Sequence, residues 1–203
     1  MLKTFRESLC AGILITIGGT VFLSCENKTV GAVLFSVALL CICYKGYYLF
    51  TGKIGYIVEQ HKKQDFLNLA VGLFGNLIAT FLLGMLLRTV LPNIGERAAE
   101  MCSAKLAQFP LYSFIRGFFC GILMYLAVSI YKEKNSVLGV LFCVPVFILC
   151  GFEHSIADMF YFGTSGIFDT KIIFFMALIV AGNTLGAMVL PLLKGVHTNE
   201  KQG

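Results

Sequence analysis

The sequence predicts an all-α membrane protein with six transmembrane helices. Hydrophobic residues make up 58% of the 203 residues, charged residues only 13%, and the mean hydropathy is +0.84. Soluble domains carry about 25% charged residues because their surfaces must be hydrated. The low charge therefore argues against a soluble protein. The net charge of +5 is scattered, without the basic stripe and interleaved aromatic residues of a nucleic-acid-binding surface.

Six long apolar segments justify the number of helices. A transmembrane helix needs about 20 mainly apolar residues, so six helices use about 120 and leave room only for short loops. The first segment resembles a signal-peptide core, but five similar segments follow it, which favours a transmembrane helix. We expect one transmembrane domain covering 1–203. The segments are 9–23, 30–50, 67–87, 111–131, 137–162 and 172–193.

The second and fifth segments contain polar residues that lipid would not accommodate. Segment five holds Glu153, His154 and Asp158, and segment two holds Lys45 and ends in Leu-Phe-Thr-Gly at 49–52. A charge at the bilayer centre costs about 2.5–3.5 kcal/mol even on lenient insertion scales. Such residues can lie at this depth only where they face protein or water. Both helices are therefore predicted to be broken.

The distribution of lysine and arginine predicts that both termini face the cytoplasm. Cytoplasmic loops carry an excess of these residues, and an even number of spans places both termini on one side. The predicted cytoplasmic face holds Lys3, Arg6, Lys53, Lys62, Lys63, Lys132, Lys134, Lys194 and Lys201. The opposite face holds Lys28, Arg88, Arg97, Lys105 and Lys171.

Short matching segments in the two halves indicate an internal repeat. Cys-Ala-Gly-Ile-Leu at 10–14 is similar to Cys-Gly-Ile-Leu at 120–123, and the Gly-Asn pair ending at Asn76 matches the pair ending at Asn183. Three spans per copy is an odd number, so the second copy must be inverted. We predict repeat one at about 1–88, a linker at about 89–110 and repeat two at about 111–195. Inverted-repeat transporters place their pathway where matching helices break.

The motifs at the predicted breaks resemble those of the formate/nitrite transporter family. The run Gly-Phe-Glu-His-Ser-Ile-Ala-Asp-Met at 151–159 is close to the family's Gly-aromatic-Glu-His-Ser-x-Ala-Asn-Met signature, and 49–51 matches its Leu-Phe-Thr segment. Residues 116–128 fit its fourth span. The resemblance implies an aquaporin-like fold and a homopentamer in a prokaryotic cell membrane, the inner membrane. It also implies passage of formate, nitrite or hydrosulfide, or of the neutral acid, through each protomer.

The resemblance also implies which residues line the pore. We expect His154 to protonate or hydrogen-bond the anion, as the site of proton coupling, with Thr51 as a second donor where the two breaks meet. Lys105 falls where the family keeps a vestibule lysine, and we expect it to concentrate anions at the outer mouth. Hydrophobic constrictions, which slow hydrated ions by dewetting, are expected at Phe35, Leu39, Leu49, Phe50 and Phe147.

Other polar residues are expected to support or tune the pore. We expect the Glu153 carboxylate to accept backbone N–H groups of the broken segments. Asp158 replaces the signature asparagine, and at i+4 from His154 it is expected to favour the protonated imidazole. Asn76 and Asn183, from the two Gly-Asn pairs, are expected to have structural roles.

Two further departures from the family pattern affect the expected lining. Lys45 and Tyr48 lie in the second span where the family usually has small or neutral residues and a glutamate. We expect Lys45 to tune the pore or to extend to the cytoplasmic headgroups. Gly121 replaces an asparagine of the fourth span, so a polar lining group is expected to be missing there.

Two other classes of protein compete with this interpretation. A water channel would need Asn-Pro-Ala caps, but none of the four prolines follows an asparagine. An intramembrane enzyme or metal-binding protein would use Glu153, His154 and Asp158 as its centre, and this alternative stays open. The sequence lacks a His-Glu-x-x-His pair and Cys-x-x-Cys spacing, so we expect no catalytic residues, metal or cofactor.

Overall fold

The computed structural model describes residues 1–195, and within this range the chain forms α-helices and one 3₁₀ segment but no strand. Lys201, which entered the charge count, lies outside the described residues. The helices are α1 (Leu2–Ser24), α2 (Lys28–Lys45), α3 (Phe50–Lys53), α4 (Lys63–Val90), α5 (Pro92–Leu106), α6 (Pro110–Lys134), α7 (Leu138–Leu149), α8 (Ser155–Ser165) and α9 (Lys171–Lys194), with the 3₁₀ segment at Ile54–Val58 after α3.

Five helices are long and apolar enough to cross a membrane, namely α1, α2, α4, α6 and α9. The shorter α7 is also apolar. The prediction of an all-helical multi-pass membrane protein is therefore confirmed. The helices extend the predicted segments by a few residues at their ends because flanking polar residues continue the backbone hydrogen bonding. For example, α4 begins four residues before the predicted segment at 67–87.

The second and fifth apolar segments are both divided. In segment two, α2 ends before Gly46, which has φ of 68°, and α3 begins at Phe50. In segment five, α7 ends at Leu149, Gly151 also has φ of 68°, and α8 begins at Ser155. This left-handed backbone favours glycine because it has no Cβ. The interruptions thus occur at the polar residues within these two segments.

The predicted linker at 89–110 contains a helix that hydropathy did not indicate. Pro92 occupies the first turn of α5, where the missing N–H is harmless. The helix buries Ile94, Ala98 and Cys102, which are four residues apart and lie on one face. The helix α5 packs mainly against α8. As a result, the end of α5, with Lys105, lies beside the break before α8.

Gly12 in α1 and Gly121 in α6 allow close packing between helices. Gly12 lets α1 approach α4, which carries Asn76, and Gly121 lets α6 approach α9, which carries Asn183. A Cβ at Gly12 would lie 3.2 Å from the Asn76 carbonyl oxygen, and a Cβ at Gly121 would lie 2.9 Å from the Ala187 nitrogen and from the Asn183 carbonyl carbon. Gly121 therefore faces the α9 backbone. The expectation that this position belongs to the pore lining was wrong, because the space there is filled by α9.

Candidate functional site

Asn76 holds the break between α2 and α3 in place. Its side chain is fully buried and accepts a hydrogen bond from the Phe50 N–H at 2.8 Å. Its amide nitrogen donates to the Tyr48 carbonyl at 2.9 Å and to the Ser8 carbonyl at 2.8 Å. One amide thus satisfies two backbone groups that the interrupted helix would otherwise leave unpaired at membrane depth, and it links them to the Ser8 carbonyl of α1.

Asn183 makes the corresponding contacts at the break between α7 and α8. It accepts from the Ser155 N–H at 2.9 Å and donates to the Glu153 and Gly117 carbonyls, each at 2.8 Å. In both sets, the asparagine binds one carbonyl of the interruption and the N–H group of the residue two positions later. It also binds a carbonyl of the first helix in its half of the chain, which is α1 for Asn76 and α6 for Asn183. These hydrogen bonds are the geometry from which we infer a structural role for both asparagines.

The two breaks meet at Thr51 and His154. The Thr51 Oγ1 and His154 Nε2 atoms lie 2.7 Å apart, and the two residues are 1% and 2% exposed. Thr51 does not cap α3, since Leu49 occupies the N-cap position and Thr51 lies inside the helix. The sequence-based expectation that these two side chains face each other agrees with the structure.

The backbone fixes which nitrogen of His154 carries a proton. His154 is the N-cap of α8, and its Nδ1 accepts the Ala157 N–H at 3.1 Å. A neutral imidazole has one donor and one acceptor nitrogen, so the proton is on Nε2. Nε2 therefore donates to Thr51 Oγ1, and the threonine hydroxyl hydrogen is left to donate elsewhere.

Aromatic and aliphatic side chains pack around the Thr51–His154 pair. The Phe147 ring stacks on His154 with centroids 5.6 Å apart, and Phe35 meets Phe147 edge-on at 6.3 Å. Leu39 and Leu49 are each 2% exposed, and Phe50 is 5% exposed. The five predicted constriction residues are thus all buried close to the breaks.

Two cavities lie on opposite sides of this constriction. The large cavity, of about 860 Å³, opens on the face where α5 lies and is lined by Phe147, His154 and Lys105 among others. The small cavity, of about 70 Å³, lies between the end of α2, α3 and the last turns of α6. Leu39, Leu49 and Lys53 are among its lining residues.

Lys105 is an ion-paired residue rather than an exposed cation at the mouth. Its side chain is 11% exposed, its Nζ lies 3.0 Å from Asp158 Oδ1, and it is hydrogen-bonded to Glu153 Oε2. Burial disfavours the charged lysine, but Asp158 and Glu153 raise the pKa of Lys105 above its ordinary value. Lys105 therefore remains protonated at physiological pH. The Lys105 charge is therefore balanced by the two carboxylates between which α5 inserts it, and its expected role in concentrating anions stays a prediction.

The contacts of the two carboxylates also differ from those expected. The Glu153 side chain binds Lys105, and it is Asn76 and Asn183 that accept the N–H groups of the broken segments. The Asp158 side chain contacts Lys105 rather than His154, because a carboxylate one turn into α8 faces α5. Its second oxygen, Oδ2, is buried without a hydrogen-bond partner among the described residues.

Lys45 lies away from the constriction. It is exposed in the last turn of α2, where its charge complements the helix C-terminus. It lines neither cavity, so its expected tuning role has no support in the geometry.

The alternative metal or enzyme centre is not favoured by the geometry. In residues 1–195, no three His, Cys, Asp or Glu side chains are grouped in a way that could hold a metal ion. Lys105 binds one oxygen of Glu153 and one of Asp158, and its positive charge would repel a metal ion between them.

The comparison with protein families decides the class of this protein. The sequence profile of the formate/nitrite transporter family matches residues 1–194. The chain belongs to the formate/nitrite transporter family. The resemblance inferred from the motifs is therefore confirmed, and the chain is a membrane transport protein rather than an enzyme.

Two relatives within the family are informative. The chain is 30% identical over 185 residues to the uncharacterized transporter YwcJ of Bacillus subtilis, covering 81% of this chain and 72% of that protein. It is 26% identical over 187 residues to the formate channel FocA of Escherichia coli K12, covering 78% of this chain and 65% of FocA. The chain thus spans about two thirds of the formate channel's length.

Two solved structures share the fold. A pentameric formate channel with formate bound superposes with a TM-score of 0.78 at 24% identity, covering 93% of each chain. An FNT family ion channel superposes with a TM-score of 0.79 at 21% identity, covering 95% of this chain and 87% of that one. At these identities the likeness establishes the fold of this family member.

Proposed function

We propose that this family member conducts small monovalent weak-acid anions, of the class of formate, nitrite and hydrosulfide. The observation that carries the proposal is the buried contact between Thr51 and His154, at the meeting point of two helix breaks and between two cavities. A relative named as a formate channel and a similar structure with formate bound support the same class of substrate.

The constriction offers a hydrogen-bond donor without a net charge. Because Nε2 of His154 donates to Thr51 Oγ1, the threonine hydroxyl hydrogen is free to point toward a permeating oxygen or sulfur atom. An ion leaving water loses its hydration, and a fixed donor in a dry site offsets part of that loss. The nearby phenylalanine rings exclude larger hydrated ions.

Proton coupling through His154 would require a change at the start of α8. A second proton on the imidazole would have to reside on Nδ1, which accepts the Ala157 N–H. Adding it would break the N-cap bond. We therefore propose that His154 remains neutral, orients the Thr51 hydroxyl, and leaves protonation of the permeating anion to water in the cavities.

The arrangement of spans belongs to the same proposal. We propose six spans in a 3+3 inverted repeat, with α2–α3 and α7–α8 as the broken helices. The matching hydrogen bonds of Asn76 and Asn183 and the matching packing of Gly12 and Gly121 support this pairing. The lysine and arginine count supports a cytoplasmic location for both termini.

A homopentamer in the bilayer is also proposed. Apolar side chains such as Phe74, Phe142 and Ile173 are more than half exposed on the single chain, which suits contact with lipid and neighbouring protomers. The pentameric state of the similar formate channel supports five copies. Native mass spectrometry of the detergent-solubilised protein should give five chains. A monomer or dimer as the only species would contradict this stoichiometry.

Transport itself is tested in proteoliposomes. Vesicles loaded with formate, nitrite or hydrosulfide should release at least one of them faster than protein-free vesicles, while sulfate should be retained. Equal release of all four anions, or of none, would contradict the proposal. Comparing the release rates of the four anions also identifies the preferred one.

A further inference from the structure

The two cavities differ in the balance of charge along their walls. The large cavity is lined by four basic and four acidic side chains, so its formal charges cancel. The basic ones are Lys28, Arg97, Lys105 and Arg116, and the acidic ones are Glu26, Glu100, Glu153 and Asp158. The small cavity is lined by Lys53 and Lys132 and by no acidic side chain. The lining of the small cavity therefore carries a net positive formal charge, whereas that of the large cavity does not.

The two lysines reach the small cavity from different halves of the chain. Lys53 ends α3, directly after the Thr51 turn, and Lys132 lies in the last turn of α6. Within residues 1–195 neither forms an ion pair with a carboxylate. Their charges oppose each other across the cavity, and an anion between them would relieve that repulsion.

Aromatic rings hold both ammonium groups without neutralising them. Lys132 Nζ lies 3.9 Å from the centroid of the Tyr56 ring, and Lys53 Nζ lies 5.7 Å from that of Tyr48. A cation over a ring is attracted by the ring quadrupole and keeps its full charge. A carboxylate partner, such as those of Lys105, would have cancelled it. The rings thus position the ammonium groups of two cavity-lining residues without supplying a negative charge.

We propose that the small cavity is an anion-binding site, in which a small monovalent oxyanion or hydrosulfide lies between Lys53 and Lys132 before it reaches Thr51. Its volume of about 70 Å³ is more than one water molecule needs and suits an anion of a few heavy atoms. The inference builds on the proposed transport function, since it treats both cavities as parts of one route. It predicts that an anion binds more tightly in the small cavity than in the large one.

Native cysteines allow the potential of each cavity to be measured without transport. Cys43 lines the small cavity and Cys25 lines the large one, and both are partly exposed. We would treat the protein with a negatively charged sulfonatoethyl or a positively charged trimethylammonioethyl methanethiosulfonate and quantify each peptide by mass spectrometry. Both reagents attack the same thiolate, so the ratio of their rates reports the local potential at each cysteine.

The proposal predicts a distinct pattern of rates. The negative-to-positive rate ratio should be at least about ten-fold higher at Cys43 than at Cys25, and high salt should reduce the difference. The Lys53→Gln/Lys132→Gln double variant should lower the Cys43 ratio to the Cys25 value. Lys45→Gln, an exposed lysine outside the cavity, should not change it. Formate should slow modification of Cys43 in the wild-type protein.

Several outcomes distinguish a failure of the proposed anion-binding site from a failure of the proposed transport function. The first outcome needs only the wild-type protein. Equal negative-to-positive rate ratios at Cys43 and Cys25 would overturn the anion-binding site. A high Cys43 ratio with formate protection would support it, whether or not the vesicles release anions. If transport is observed, the double variant should raise the half-saturating formate concentration about ten-fold on the small-cavity side only. An unchanged value would also contradict the proposal.

Discussion

Thr51 Oγ1 and His154 Nε2 lie 2.7 Å apart, although 103 positions separate the two residues in the sequence. Each residue follows a helix break, and each break is held by a buried asparagine. The polar contact at the centre of the molecule thus depends on two independent sets of backbone hydrogen bonds. This dependence leads to several predictions.

Replacing Asn183 should destabilise the protein as strongly as replacing Asn76. Asn183→Leu leaves the Ser155 N–H and the Glu153 carbonyl without their partner and removes the bond to the Gly117 carbonyl of α6. Each buried unpaired group costs about 1–3 kcal/mol. Asn76→Leu has the same effect at the other break. Thermal unfolding in detergent, followed with a thiol-reactive dye, should show a similar large loss for both variants.

A control for this experiment lies on the same helix as Asn76. Asn68 is only partly buried, and its side chain bonds Thr4 and Gln64 near the surface. Asn68→Leu should lower the unfolding temperature by much less. Equal losses for Asn68→Leu and Asn76→Leu would show that the break does not depend on the asparagine.

The breaks could be predicted from the sequence because their cause is local. A charged cluster inside an apolar run, as at Glu153 and His154, cannot face lipid, so the helix must be broken or buried there. The equivalence of Asn76 and Asn183 was visible in the repeated Gly-Asn pairs. The bonds they make were not, since Phe50 and Ser155 are brought to them only by tertiary packing.

The environment of Lys105 could not be predicted in this way. Hydropathy gives no signal for α5, so the linker looked like a loop and its lysine like an exposed charge. The i, i+4 face of Ile94, Ala98 and Cys102 was the available signal for a helix in this region. The direction of a side chain at the end of that helix depends on how α5 packs against α8, which the sequence pattern does not specify.

Removing Lys105 should reduce stability as well as transport. Lys105→Met leaves two carboxylates buried without their counterion, and breaking such a buried pair costs about 3–5 kcal/mol. Flux should fall by a similar factor at low and high salt, because the charge is buried rather than screened by solvent. Thermal unfolding and vesicle flux at several salt concentrations measure both effects.

Lys28 provides the matched comparison, since it lines the same large cavity but is exposed. Lys28→Met should leave the unfolding temperature unchanged and affect flux only at low salt. A Lys105→Met variant with wild-type stability and salt-dependent flux would contradict the ion-paired role and restore that of a steering charge.

A side chain at Gly121 should disturb the packing of α6 on α9. Gly121→Ala would place a Cβ against the backbone of Asn183 and Ala187, which cannot move without shifting α9. We expect loss of folded protein and a lower unfolding temperature. Gly31→Ala is the control, because its Cβ would first meet the Cys25 side chain at 3.1 Å. A stable, active Gly121→Ala protein would place this position outside the helix contact.

The pH dependence of flux should not originate from His154. With Nδ1 engaged by the Ala157 N–H, the imidazole stays neutral and the permeating acid supplies the titration. Asparagine is also a good N-cap residue, so His154→Asn should fold. It should lower flux while keeping the shape of the pH profile between about pH 5 and 8, the range in which a free histidine titrates. A flattened profile would show that the histidine itself carries the proton.

The most direct test of the proposed mechanism is the formate flux of Thr51→Val in proteoliposomes. Valine keeps the shape of threonine and removes only the hydroxyl that we propose donates to the anion. Losing a hydrogen bond to a charged partner costs about 1.5–3 kcal/mol, so flux should fall about ten- to hundred-fold. Thr51→Ser, which keeps the donor, should retain most of the flux. Wild-type flux in a folded Thr51→Val protein would contradict the central role of this hydroxyl.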